Sequence, residues 1–65
     1  MTRTLLRTPD VSKLTGIPEG TLRWFRHTGQ GPKSFTLGKR RVVYDLADVE
    51  EWIEVSRAAA ERELA

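Results

Sequence analysis

The chain contains no cysteine and only one histidine, and these shortages exclude several kinds of chemistry. Without cysteine it can form neither disulfides nor thiolate metal sites. His27 has no acid at metal-ligand spacing, and a nucleophile–base–acid triad would have to use this same side chain. With 65 residues the chain can build one small core but hardly a catalytic cleft. We therefore predict a single domain over 1–65, with no enzymatic activity, no metal and no cofactor.

Long apolar runs and phosphate-binding loops are lacking as well. No apolar stretch approaches the roughly 20 residues that span a bilayer, and Leu5-Leu6 is too short for the apolar part of a signal peptide. The glycine-containing loop at 29–32 has neither the lysine nor the strand–helix context of a nucleotide phosphate loop. These absences predict a soluble cytoplasmic protein.

The net charge of +2 conceals two blocks of opposite sign. Residues 1–44 carry nine Lys/Arg against two acids, whereas residues 45–65 carry two Arg against seven acids. A basic body favours polyanions through counterion release, and an acidic end is repelled by phosphate. Taken alone, the two blocks are equally consistent with ordinary solvated faces, so the sequence motifs are needed to distinguish polyanion binding from this alternative.

A short first helix is predicted from its start signals. Thr8 can serve as the cap, Pro9 suits the first helical position, and Asp10 meets the positive end of the helix dipole. Val11 and Leu14 then recur at a helical step, and the next glycine is expected to end the helix. Leu5 or Leu6 is expected to fold back onto this apolar face.

A second helix is predicted over 18–28, after a very short turn. Leu22 and Phe25 lie three residues apart, which is the spacing of one buried face. The rest of its surface combines a hydroxyl, guanidinium groups and an aromatic ring, on Thr21, Arg23, Trp24 and Arg26. Such groups can read base edges and bind phosphates in a major groove. The pair of helices over about 8–28 therefore fits a helix-turn-helix, with Arg23 suited to a base and Arg26 to a phosphate.

Two positions in the second helix admit two interpretations each. Trp24 lies about 100–200° around the helix from Leu22 and Phe25, which favours contact with DNA or a partner, although a third core aromatic is the alternative. Gly20 weakens the first turn of the helix. It is there either for a close approach of the backbone to DNA or for packing against the first helix.

The segment 33–44 is predicted to be a hairpin. Phe35 and Leu37 alternate with polar residues, so one face of their strand is expected to pack inward. The turn carries three consecutive cations, Lys39, Arg40 and Arg41. These are either solvated or, following a helix-turn-helix, belong to a wing that touches phosphates or enters the minor groove.

A third helix is predicted over about 46–60, with Asp45 as its cap. The helix has apolar residues at helical spacing: Leu46, Val49, Trp52 and Ile53, with Ser56 on the same face. This spacing predicts that Trp52 lies in the core. Residues 57–65 are good helix formers but almost lack core candidates. This tail is expected to extend the helix into solvent, to fray, or to dock on a neighbouring molecule.

The order of these motifs resembles the small excisionases and other winged helix-turn-helix proteins of the MerR type from actinobacteria and their phages. The resemblance covers about residues 5–54 and is carried by 8–11, 14–17, 21–26, 31–33, 37–44 and 48–53. It implies a mainly α fold with a small β-hairpin: a helix-turn-helix, a two-stranded wing and a C-terminal helix. The recognition helix would be 18–28 and the wing 38–42.

The predicted DNA-binding residues fall into two sets. The recognition helix contributes Gly20, Thr21, Arg23, Trp24 and Arg26, and the wing contributes Lys39, Arg40 and Arg41. Four further residues are candidate phosphate contacts: Arg7, Lys13, His27 and Lys33.

The resemblance also implies a mechanism. Excisionases of this kind bind several copies side by side on repeated sites beside a phage attachment site, bend the DNA, and direct a tyrosine or serine integrase toward excision. MerR regulators proper carry a long dimerisation helix and an effector domain after the winged unit, and this chain is expected to be too short for both. A basic body with an acidic end also suits head-to-tail contacts between copies. The alternatives are a small transcriptional regulator of the same fold, and a protein-interaction module that uses Trp24 and the acidic helix.

Overall fold

The computed structural model describes residues 3–64, as three helices and a small antiparallel sheet. In chain order the elements are β1 (Leu5–Leu6), α1 (Thr8–Thr15), α2 (Glu19–Thr28), β2 (Phe35–Leu37), β3 (Arg41–Asp45) and α3 (Leu46–Leu64). The three strands lie in the order β1-β3-β2. This arrangement is compatible with the predicted winged helix-turn-helix. Over the residues described, no helix is both long enough and apolar enough to cross a membrane.

The first helix begins one residue differently from the prediction. Arg7, and not Thr8, occupies the cap position, and the Asp10 carboxylate accepts a hydrogen bond from the Arg7 backbone N–H at 3.0 Å. The acid therefore stabilises the helix start directly. Gly16 ends the helix as expected, because its φ of 77° is a left-handed conformation that glycine adopts without steric cost.

The second helix has the predicted ends. Pro18 is extended and precedes the first helical residue, and its carbonyl accepts the hydrogen bond from the Leu22 N–H at 3.0 Å. Gly29 closes the helix with a φ of 74°. The turn between α1 and α2 is therefore short, which holds the two helices as a helix-turn-helix.

Four side chains form the centre of the core, and they come from every helix and from β3: Val11, Leu22, Tyr44 and Val49 are all fully buried. Half-buried residues pack around them, among them Leu6, Ile17, Phe25 and Ile53. The predicted buried face of α2 is thus confirmed. The prediction for Leu14 was wrong: its side chain is 52% exposed. It belongs to the last turn of a helix of eight residues and lines a shallow groove beside α3.

The predicted hairpin is present, but its packing differs from the prediction. Phe35 pairs with Val43 and Leu37 with Arg41 across β2 and β3. Phe35 is nevertheless 40% exposed and Leu37 48% exposed, so the expected inward face of β2 was wrong. Strand β2 is an edge strand, and the core contacts come from the opposite face of the sheet, where Tyr44 lies.

Strand β1 was not predicted. Leu5 pairs with Asp45 and Leu6 with Tyr44, so the leucine pair extends the sheet, and Leu6 packs against the core from there. A strand of two residues is too short to show the alternation from which strands are recognised.

The cap of α3 is confirmed, since Asp45 Oδ1 accepts a hydrogen bond from the Ala47 N–H at 3.0 Å. The helix continues to Leu64, past the predicted end near residue 60, so the tail extends the helix into solvent. Trp52 is half-buried and not fully in the core; its Nε1 donates to the Gln30 carbonyl at 3.1 Å. Its ring lies 6.3 Å from that of Phe25, and it thereby anchors the loop after α2.

Candidate nucleic-acid interface

The outward face of α2 carries a small polar and aromatic surface. Thr21, Arg23 and Trp24 are all exposed, whereas Leu22 between them is fully buried. Trp24 is 55% exposed, and its ring lies 5.9 Å from that of Phe25. The core alternative for Trp24 was therefore wrong, while its contact with DNA stays a prediction.

Arg26 does not share this outward face, contrary to the prediction. Its Nη1 lies 2.9 Å from Thr8 Oγ1 and 2.9 Å from the Tyr44 hydroxyl, and the contact is partly buried. The spacing could have shown this, because Leu22, Phe25 and Arg26 occupy positions i, i+3 and i+4 of one helical stripe. A phosphate contact by Arg26 would have to break these hydrogen bonds or use its remaining N–H groups.

Gly20 has open space around it. A Cβ at this position would meet only Arg23 Nη2, at 4.0 Å. The packing alternative for this glycine was wrong, because no atom of α1 lies close to it. The close approach of a DNA backbone stays a prediction.

The turn of the hairpin gathers cations. Gly38 adopts a φ of 76°, which lets the chain reverse within three residues. An open depression of about 550 Å³ lies beside this turn, lined by Arg7, Leu37, Gly38, Lys39, Arg40 and Arg41. Arg7 reaches the wing because β1, which ends just before it, pairs with β3. The sequence contained no signal for that proximity, since β1 itself was not predictable.

Within the described part of the chain, these cations have no acidic partners. Within residues 3–64, the salt bridges are Arg3–Asp45, Arg57–Glu54 and Arg57–Glu61, and none involves Arg23 or the wing cations. The exposed acids of α3, among them Glu50, Glu51 and Glu54, lie on a different element. The two charge blocks of the sequence are thus divided between the helix-turn-helix with its wing and α3. Such a division leaves the basic groups available for phosphates.

The remaining candidate phosphate contacts are scattered. Lys13 lies in the last turn of α1 and His27 in the last turn of α2, both exposed. Lys33 lines a depression together with Asp48 and Glu51, away from the cations of the wing. The structure therefore places Arg7 beside the cations of the wing and Lys33 beside acidic residues. Within residues 3–64, no three His, Asp or Glu side chains are placed to hold a metal ion.

Comparison with protein families gives a match over most of the chain. The family described as prophage CP4-57 regulatory protein (AlpA) matches residues 4–57. Comparison with curated proteins and with solved structures gave no significant match. The matched range includes α1, α2, the whole sheet and the first part of α3, so it contains every residue of the candidate interface. The chain belongs to this family of small DNA-binding regulatory proteins of phages.

Proposed function

We propose that the protein is an excisionase of the MerR type, which binds duplex DNA through α2 and the wing and directs recombination toward prophage excision. One observation carries the proposal. Arg23 and the wing cations have no acidic partner in the described chain, and most of the acids lie on α3. The basic side then faces phosphates, and counterion release supplies affinity.

The proposed division of labour follows the positions of the side chains. Helix α2 enters the major groove, where Arg23 reads a base and Thr21 and Trp24 contact neighbouring groups. The cations of the wing bind phosphates at the side of that groove. Arg26 holds α2 against α1 and β3, and base reading is assigned to Arg23.

The small size of the reading surface favours binding by several copies. Thr21, Arg23 and Trp24 offer limited discrimination between sequences, and repetition of the protein along repeated sites would supply the rest. The basic body of one copy and the acidic α3 of the next suit a head-to-tail contact, which forms open arrays. Bent DNA then favours assembly of a tyrosine or serine integrase in the excisive direction, in the cytoplasm of the bacterial host.

A DNA fragment with tandem repeats from an attachment site tests the proposal. Titration should give cooperative complexes and a bend that grows with each copy bound, measured by gel shift with permuted sites. Glu50→Lys with Glu54→Lys should abolish the cooperativity, whereas the control Glu61→Lys with Glu63→Lys adds equal charge farther along the helix and should keep it. A single complex without cooperativity or bend would overturn the excisionase function.

A transcriptional regulator of the same fold is the second candidate, and the description of the family as a regulatory protein favours it. It requires an operator with one or two symmetric half-sites. A promoter fusion in a strain without an integrase separates the two candidates. A change in transcription there would support the regulator, whereas unchanged transcription there, together with excision in a strain that carries the integrase, would support the excisionase.

A further inference from the structure

One face of the sheet lies outside the main core. The pairing places Phe35 opposite Val43 and Leu37 opposite Arg41, so these four side chains project from the same face, here called the outer face. Tyr44 projects from the other face, into the core. On the outer face Val43 is buried, but Phe35 and Leu37 remain 40% and 48% exposed. Two apolar side chains thus lie in water on an edge strand.

Cations surround this apolar patch. Arg7 and Arg41 line the same depression as Leu37, together with the two cations of the turn. Asp45 projects from the same face, and its carboxylate is paired with Arg3 at 2.9 Å between Oδ2 and Nε. The outer face is therefore apolar at its centre and positive at its border, which is complementary to deoxyribose rings between phosphates.

The position of Leu37 links it to a phosphate contact. Directly paired residues of antiparallel strands have Cβ atoms about 4.5–5.5 Å apart. A phosphate bound by Arg41 would therefore place the adjoining sugar near Leu37. We propose that Leu37 and Phe35 form an apolar DNA contact, in which the outer face packs on the sugars that border the minor groove. This inference rests on the proposed function.

An apolar contact and a cationic contact differ in their response to salt. Removing a cation lowers the slope of log affinity against log salt by about one, whereas removing an apolar group lowers affinity at every salt concentration and leaves the slope unchanged. Leu37→Asn keeps the size of the side chain but removes its apolar surface, and should weaken binding to a 30-bp duplex about three- to tenfold at constant slope. Leu37→Met should retain the affinity of the wild type.

Three measurements on the full chain complete the test. Arg41→Ala should lower both affinity and slope, and Leu64→Asn, the same change on an exposed leucine at the far end of α3, should change neither. Netropsin, which occupies the minor groove, should weaken the wild type more than Leu37→Asn. Circular dichroism melting verifies that each variant is folded at the temperature of the assay.

The outcomes separate this inference from the proposed function. If the wild type binds with a steep salt slope and Leu37→Asn binds equally well, the apolar contact is wrong and DNA binding stands. A loss confined to cooperativity on tandem sites would also overturn it, because the outer face would then contact a second copy. If the wild type shows no salt-dependent binding at all, the proposed function itself fails.

Discussion

Arg26 donates a hydrogen bond to the hydroxyl of Tyr44, with Nη1 2.9 Å from the phenolic oxygen. The same nitrogen lies 2.9 Å from Thr8 Oγ1, so one side chain joins α2 to α1 and to β3. The ring of Tyr44 is fully buried, and its hydroxyl needs a partner there. This contact fixes α2 relative to β3, the strand that follows the cationic turn.

Removal of either partner should therefore lower stability. Tyr44→Phe deletes the acceptor and is expected to reduce the free energy of unfolding by about 1 kcal/mol, and Arg26→Ala, which leaves two hydroxyls without their donor, by about 1–3 kcal/mol. Urea unfolding followed by circular dichroism measures both. Arg23→Ala is the control, since that side chain is exposed and should change stability by less than about 0.5 kcal/mol. Equal effects of the two arginine changes would contradict the structural role of Arg26.

Local signals made much of this fold predictable. Gly16 and Gly29 mark helix ends through their left-handed conformations, and the acid at Asp45 marks a helix start. The hairpin followed from two β-prone runs around a glycine turn. Each of these features depends on residues that are close together in the sequence, so the sequence alone is sufficient to predict it.

The features that were missed depend on contacts distant in sequence. Periodicity shows that Leu14, Phe35 and Leu37 share faces with other apolar residues, but not whether another element covers that face. Arg7 lies beside the cations of the wing only because β1 pairs with β3. Arg26 is different, because its i+4 relation to Leu22 was visible in the sequence and a cation was simply not expected on a buried stripe.

The two tryptophans should separate stability from DNA binding. Trp52→Ala removes the packing on Phe25 and the hydrogen bond to the Gln30 carbonyl, and should lower the free energy of unfolding by about 2–4 kcal/mol. Trp24→Ala, at an exposed position, should cost less than about 1 kcal/mol but weaken binding to DNA. Urea unfolding and DNA titration of both variants test this. Trp24→Ala with unchanged affinity would remove this side chain from the interface.

Gly20→Ala should stabilise the protein and weaken its binding to DNA. The new methyl group meets open space, and alanine favours a helix by up to about 1 kcal/mol over glycine. At a closely approaching DNA backbone the same methyl group would clash. Gly31→Ala is the contrasting variant, because its Cβ would lie 2.9 Å from Phe25 Cβ and should destabilise the fold. If Gly20→Ala binds DNA as well as the wild type, no close approach occurs there.

Arg23→Ala should relax sequence preference. If this side chain reads a base, its loss costs roughly 1–3 kcal/mol on the specific site and much less on random DNA. Competition titrations with both duplexes give the ratio. Arg23→Lys keeps the charge but loses the bidentate geometry, so it should retain the affinity for random DNA and lose the preference. Equal losses on both duplexes would reduce Arg23 to a phosphate contact.

The combined change of Lys39, Arg40 and Arg41 to alanine should weaken binding to every duplex. Three lost phosphate contacts lower the slope of log affinity against log salt by about three. Arg57→Ala with Arg62→Ala removes cations from the acidic helix and should leave the slope unchanged, since Arg57 is already paired with Glu54 and Glu61. An unchanged slope in the wing variant would mean that its cations are only solvated. A wild-type affinity insensitive to salt would instead favour a module that binds proteins, because phosphate contacts cannot form without counterion release.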